Sequence, residues 1–155
     1  LAARTDMAFC SLMGGLSLAN AKLGAVHGFA GPLGGTTGAP HGAVCAALLR
    51  VTTRTNIRAM AEREPDNPAL AKYALAAEAL TGQRPDSDPE RVGEALDAWL
   101  EDLEGRLRLP GLAELGLAEA DHDAVVDAAM KGSSMKGNPI TLTRDELLQI
   151  LRDSA

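Results

Sequence analysis

The stretch from residue 89 to residue 107 places apolar side chains at steps of three and four, the spacing of one face of an α-helix. Asp88 and Pro89 precede it, a helix cap followed by a proline suited to the first turn. Asp102 and Arg106 are spaced to pair on its polar face. The predicted inward residues are Val92, Leu96, Trp99, Leu100, Leu103 and Leu107. Because no strand-like alternation extends beyond a few positions, we predict an all-α fold, a multi-helix bundle of about six to eight helices.

The composition supports closely packed helices in one domain. Of the 155 residues, 46% are apolar but only 3% are aromatic, so the core is predicted to consist mostly of Ala, Leu and Val. The net charge of −6 and the lack of a basic stripe exclude nucleic acid as a partner. No run of about 18 uncharged apolar residues predicts a membrane span. Cys10 and Cys45 form no CxxC pair, which predicts free, buried thiols and a cytoplasmic protein.

The N-terminal third of the chain predicts three helices. The first covers about residues 3–22 and is apolar almost all round, which predicts a buried position in the middle of the bundle. A short second helix is predicted to start near Gly24 and to end at Pro32 and the glycines after it. A third is predicted to begin around Pro40, since proline suits the first helical turn.

Caps mark the helices of the remaining chain. Asn67 is predicted to cap a helix that Gly82 ends, and the segment QRPDSD after it is predicted to be a loop. Another helix is predicted at about residues 119–130. Thr143 and Glu146 have the spacing of a capping box, which predicts the start of the last helix.

Two histidines, His27 and His41, flank a segment rich in glycine and proline. A single histidine in an apolar helix is usually a hydrogen-bonded core residue. Two helices joined by a turn, however, would bring this pair together, and we expect ring nitrogens about 3–4 Å apart. Imidazole suits both Zn²⁺ and Fe²⁺, but two ligands do not complete a site. His122 is the third histidine, and because it lies between two aspartates at a predicted helix start we expect it to be solvated and not a ligand.

The segment GAVHGFAGPLGG…APHGAVCAALL resembles the histidine signature of the iron-containing (group III) alcohol dehydrogenase family. In that family the histidines that correspond to His27 and His41 are metal ligands. Asn56 matches the family's asparagine after an apolar helix, and GNPITLTRDELLQILRDSA is similar to the family's ending. The resemblance covers nearly the whole chain. It implies the all-α, metal-binding C-terminal domain of a dehydroquinate-synthase-like dehydrogenase.

The resemblance also implies parts that this sequence does not contain. Family members have an N-terminal nucleotide-binding domain, and an Asp and a His four residues apart supply two further metal ligands upstream. Together with the uncapped start at Leu1, this predicts that residues 1–155 are a fragment of an NAD(P)-dependent metal-containing alcohol dehydrogenase, inactive alone. Its substrate would be a small alcohol, aldehyde or ketone. The implied metal is Fe²⁺, with Zn²⁺ as the second candidate, and homo-oligomer formation is left open.

Two positions depart from the family pattern. Gly31 replaces an inner histidine that is often credited with proton transfer, so the general acid or base is unassigned. Arg50 replaces a proline, which we interpret as a surface change of little consequence. Two alternatives remain open. The chain is a stand-alone helical packing or partner-binding domain with vestigial histidines, or it is a fragment of a related glycerol dehydrogenase or maleylacetate reductase.

Overall fold

A computed structural model describes residues 1–83 and 88–155. Within these ranges the chain forms α-helices, two short 3₁₀ turns and no strand, which confirms the predicted all-α class. The 3₁₀ turns are Glu119–Asp121 and Met135–Gly137. The helices are α1 (Ala2–Asn20), α2 (Ala25–Thr37), α3 (His41–Arg63), α4 (Ala69–Thr81), α5 (Pro89–Leu107), α6 (His122–Ala129) and α7 (Arg144–Asp153). Most of the predicted QRPDSD loop lies outside the described residues.

Helix α3 organises the core, since it contacts α2, α4, α5 and α7. The larger apolar cluster joins α2, α3, α6 and α7, with Phe29 and Leu48 completely buried in it. A smaller cluster lies among α3, α4 and α5 and contains Ile57 and Leu96. The described core therefore consists mostly of Ala, Leu, Val and Ile side chains, with Phe29 and Met60 among them, which agrees with the composition.

Local signals predicted several helix ends correctly. Asp88 caps α5 by accepting a hydrogen bond from the backbone N–H of Glu90. Thr143 and Glu146 form the predicted capping box at the start of α7. Gly82 ends α4 in the left-handed conformation, with φ of 73°. Each of these contacts joins residues close together in the sequence, so the sequence alone contains the information.

The predicted apolar face of α5 is confirmed in its first part. Val92, Leu96 and Leu100 are buried, whereas Leu107 is 60% exposed because the helix ends there. The predicted ion pair between Asp102 and Arg106 is present on the exposed face.

Helix α1 contradicts the prediction of a buried helix in the middle of the bundle. None of its residues is buried, and its large apolar side chains are 37–69% exposed. Cys10 is also exposed, so its predicted burial is wrong, whereas Cys45 is half-buried. A helix that is apolar all round needs neighbours on every side. Among the described residues, helices α2 to α7 pack with one another and leave α1 outside.

Helix α2 is longer than predicted, because it continues through Pro32 to Thr37. Proline removes one backbone hydrogen bond from a helix interior. Phe29, Ala30 and Leu33 are buried around it, and their packing stabilises the helix across the break. The helix ends instead at Gly38, whose φ of 71° is in the left-handed region that favours glycine.

Arg50 is not a surface substitution of little consequence, as the sequence had suggested. Its side chain is only 20% exposed, and its Nε donates to Glu104 at 2.8 Å. Its Nη1 lies 3.4 Å from Asp97. Because both acids belong to α5, Arg50 joins α3 to α5 where a proline could form no such contact. The correction follows from a neighbouring helix that sequence spacing does not reveal.

Among the described residues, no single helix combines the length and apolar character of a membrane span. Helices α1 and α2 reach that threshold only as a pair, with a bend of 100° between them.

Candidate metal centre

The structure brings His27 and His41 together. His27 lies in the first turn of α2, and His41 is the first residue of α3. Their ring centroids are 5.4 Å apart, with the rings inclined at 51°. His27 is half-buried and His41 is exposed, so the pair lies at the edge of the core with access to solvent. The predicted convergence of the two histidines is present, and their role as metal ligands stays a prediction.

Cys45 is a third donor that the sequence reasoning treated only as a buried thiol. It lies four residues after His41, which places both side chains on one face of α3. Its Sγ is 3.5 Å from Nε2 of His41. The donor atoms of His27, His41 and Cys45 all lie within 4.8 Å of one another. Burial raises the pKa of the Cys45 thiol. The spacing of four between His41 and Cys45 is the sequence signal that could have revealed this cluster.

This donor set fits a divalent metal. Zinc binds imidazole nitrogen at about 2.0–2.1 Å and thiolate sulfur at about 2.3 Å, so two such ligands in a tetrahedron lie about 3.3–3.6 Å apart. The distance of 3.5 Å between Cys45 and His41 falls in that range. Pairs nearer the upper limit of 4.8 Å would need a small side-chain rotation. Imidazole and thiol donors together suit Zn²⁺, Co²⁺ and Fe²⁺ better than Mg²⁺ or Ca²⁺.

An asparagine pair fixes the start of α2, two residues before His27. Oδ1 of Asn138 accepts hydrogen bonds from the backbone N–H of Ala25 at 3.0 Å and from Nδ2 of Asn56 at 3.2 Å. Its Nδ2 donates to Oδ1 of Asn56 at 2.7 Å. A Cβ on Gly24 would lie 2.9 Å from Oδ1 of Asn138, so this approach requires a residue without a side chain. The two asparagines thus hold the first turn of α2 against α3.

Asn56 is itself held inside the protein. It is 4% exposed and donates from Nδ2 to the hydroxyl of Tyr73 at 3.4 Å. Burial raises the pKa of Tyr73, an effect that this hydrogen bond reduces. The two sequence features noted far apart, Asn56 and the Asn-Pro near the end of the chain, therefore meet in one buried network beside the metal candidate.

Gly31 leaves an open space one turn after His27. It is exposed, and a Cβ built on it would meet no atom within 4 Å. The position at which the family pattern has its inner histidine is therefore accessible to solvent and free for a ligand larger than the glycine hydrogen.

His122 is not solvated, and that prediction is wrong. Its residue is 7% exposed, and its Nδ1 has no hydrogen-bond partner among the described residues. The neighbouring Asp123 is exposed and pairs with Arg144 at 2.7 Å. His122 instead faces the core with Val125 and Val126. Successive residues at a helix start face different environments. The prediction of a solvated His122 relied on its two acidic neighbours, which do not share its position in the core. His122 does not belong to the donor cluster that the described residues form.

A sequence model of the Fe-containing alcohol dehydrogenase family, C-terminal, matches residues 1–155. The chain belongs to this family.

Individual relatives agree with this assignment. Alcohol dehydrogenase 4 of Schizosaccharomyces pombe is 36% identical over 155 residues, which cover 98% of this chain and 33% of the relative. The 1,3-propanediol dehydrogenase of Klebsiella pneumoniae is 33% identical, and the match covers 99% of this chain and 38% of the relative. The solved alcohol dehydrogenase from Oenococcus oeni superposes with a TM-score of 0.72 at 26% identity, over 91% of this chain and 35% of that one. The chain thus spans about a third of the length of these alcohol dehydrogenases.

Proposed function

We propose that this chain is the metal-binding C-terminal domain of an NAD(P)-dependent alcohol dehydrogenase. The observation that carries the proposal is the convergence of His27 and His41, whose rings lie 5.4 Å apart although a glycine- and proline-rich segment separates them in the sequence. Membership of the family supplies the reaction class, reversible hydride transfer between an alcohol and its aldehyde or ketone. Because the chain belongs to this family, a role in an alcohol dehydrogenase fits it better than a role as a packing domain with vestigial histidines.

In this proposal His27 and His41 hold the cation as neutral imidazoles, one from the start of α2 and one from the start of α3. When bound, the divalent metal acts as a Lewis acid toward the substrate oxygen. Fe²⁺ is the first candidate and Zn²⁺ the second. The asparagine pair fixes the helix that carries His27, and the open side at Gly31 gives the substrate access. Because glycine transfers no proton, we expect the proton to exchange with solvent on that exposed side.

We further propose that an N-terminal nucleotide-binding domain, as the family resemblance implies, supplies NAD(P) and the remaining metal ligands. The exposed apolar surface of α1 supports this, because monomeric soluble proteins rarely leave a large contiguous apolar patch uncovered. The same surface favours a second candidate function, a helical domain that binds a partner and uses no metal. The cytoplasmic location stays a prediction.

Metal content and alcohol oxidation separate the two candidates. In the full-length protein that carries this chain, His27→Ala and His41→Ala should each lose bound Fe²⁺ or Zn²⁺ and NAD(P)-dependent oxidation of a short alcohol. The chain of 155 residues alone should show no turnover. His122→Gln is the matched control, since it removes an imidazole outside the cluster and should keep metal and activity. Full metal content in both His27→Ala and His41→Ala would contradict the proposal and favour the partner-binding function.

A further inference from the structure

We propose that Cys45 is a third ligand of the metal held by His27 and His41, which makes the site selective for Zn²⁺ or Co²⁺ over Mg²⁺ and Mn²⁺. This inference rests on the proposed metal site and raises the ligands that this chain supplies from two nitrogens to two nitrogens and one sulfur.

The position of His41 and Cys45 on α3 is the first argument. Residues four apart in a helix lie one above the other, so His41 and Cys45 present their donor atoms on one face. Their separation of 3.5 Å is that of two neighbouring ligands in a tetrahedral site, about 3.6 Å for one nitrogen and one sulfur. The ring of His27, from a different helix, completes a triangle of donors with no pair farther apart than 4.8 Å. Sγ of Cys45 therefore lies within 4.8 Å of a ring nitrogen of each histidine.

The burial of the thiol relative to the two histidines is the second argument. Cys45 is half-buried and packs against the main apolar cluster, while the exposed His41 provides the entry side. The cation would thus arrive from solvent and meet the sulfur at the inner end of the site. On coordination the Sγ–H bond breaks, the Sγ–metal bond forms and the proton leaves to water. The sulfur neither gains nor loses an electron in this step.

The chemistry of sulfur gives the selectivity. Thiolate is a soft ligand that binds Zn²⁺ and Co²⁺ well, whereas Mg²⁺ and Mn²⁺ prefer oxygen. A site with two imidazoles alone would separate these cations less strongly. Cys45 therefore determines which metal the chain retains when several are present.

Cobalt spectroscopy tests the assignment without any measurement of activity. The purified chain, reduced and metal-free, is titrated with Co²⁺ under anaerobic conditions. We expect a thiolate-to-cobalt charge-transfer absorption in the near ultraviolet. Cys45→Ser should abolish that band and weaken Zn²⁺ binding at least about tenfold, because loss of a direct ligand should exceed the effect of an outer partner. Cys10→Ser is the matched control, since Cys10 lies exposed on α1 and should leave band and affinity unchanged.

Each outcome has one meaning once far-ultraviolet circular dichroism shows that the variants keep their helices. If the wild type binds Co²⁺ without the band, or Cys45→Ser binds Zn²⁺ as tightly as the wild type while His41→Ala does not, Cys45 is not a ligand and the histidine pair stands. A band lost in Cys10→Ser would also overturn the assignment. If Cys45→Ser, His27→Ala and His41→Ala all bind Co²⁺ like the wild type, the proposed metal site fails as well.

Discussion

Helices α1 and α5 are both 19 residues long, yet they relate to the rest of the molecule in opposite ways. Helix α5 has apolar and polar faces, begins at a side-chain cap and packs against α3 and α4. Helix α1 is apolar on most of its surface, has no side-chain cap and buries none of its residues. The comparison shows that an amphipathic pattern indicates which face of a helix packs against the core. A helix that is apolar all round indicates only that other elements must cover it, and not which ones.

The largest expected effect comes from truncating one leucine in each helix. Leu96→Ala removes a side chain that is 3% exposed in the α3–α5 contact, and should lower the free energy of unfolding by about 2–5 kcal/mol. Leu12→Ala on α1, where the side chain is 58% exposed, should change it by less than about 0.5 kcal/mol. Urea unfolding of the purified chain measures both. Equal losses would show that α1 is packed in solution and would remove the contrast.

The next largest loss of stability is expected from replacing Asn138, which holds the start of α2, and it is compared with the replacement of an asparagine on α1. Asn138→Ala leaves the backbone N–H of Ala25 and Oδ1 of Asn56 without the hydrogen bonds that Asn138 makes to them, and we expect the free energy of unfolding to fall by about 1–3 kcal/mol. It should also weaken metal binding, because the turn that carries His27 is released. Asn20→Ala on α1 removes only an exposed hydrogen bond to Leu16 and is the control. Denaturant unfolding and Zn²⁺ titration check both effects, and unchanged metal affinity in Asn138→Ala would separate the asparagine pair from the site.

The smallest expected effect is a change in the free energy of unfolding at low pH. Burial alone would raise the pKa of Glu146, but hydrogen bonds from Arg63 and Thr143 outweigh it and lower the pKa. A carboxyl whose pKa is lower in the folded state stabilises above its unfolded value, about 4.3, and this stabilisation is lost as the pH falls through the folded value.

Glu146→Gln keeps a side chain that can cap α7 but removes the charge. At pH 7 it should cost no more than about 1 kcal/mol, and the difference from the wild type should shrink as the pH falls through the acid range. Asp6→Asn on the exposed α1 is the control. Thermal unfolding at several pH values decides the question, and a difference that grows toward low pH would reverse the assigned sign.

The sequence predicted those features that depend on neighbours along the chain. The cap at Asp88, the box at Thr143 and the stop at Gly82 each need only a few adjacent residues, and all are confirmed. The histidine pair was predicted because a short segment joins its two helices.

Features that depend on distant parts of the fold were missed. The burial of His122, the ion pairs of Arg50 and the passage of α2 through Pro32 are each determined by packing against another helix. Cys45 was treated as a packing residue, since its approach to His27 requires knowledge of how α2 meets α3. Exposure of α1 was missed for the same reason, because composition does not say which segment covers a helix.

The hydrogen bond from Ala25 to Asn138 joins residues 113 positions apart, and this distance sets an order of events during synthesis. The segment that carries His27 leaves the ribosome long before Asn138 is made, so the early helix start has no anchor. Only when the C-terminal segment emerges can the asparagine pair form and fix the helix start that carries His27. We expect stable metal uptake to follow completion of the chain, because a cation that arrived earlier would meet a helix start that is not yet fixed.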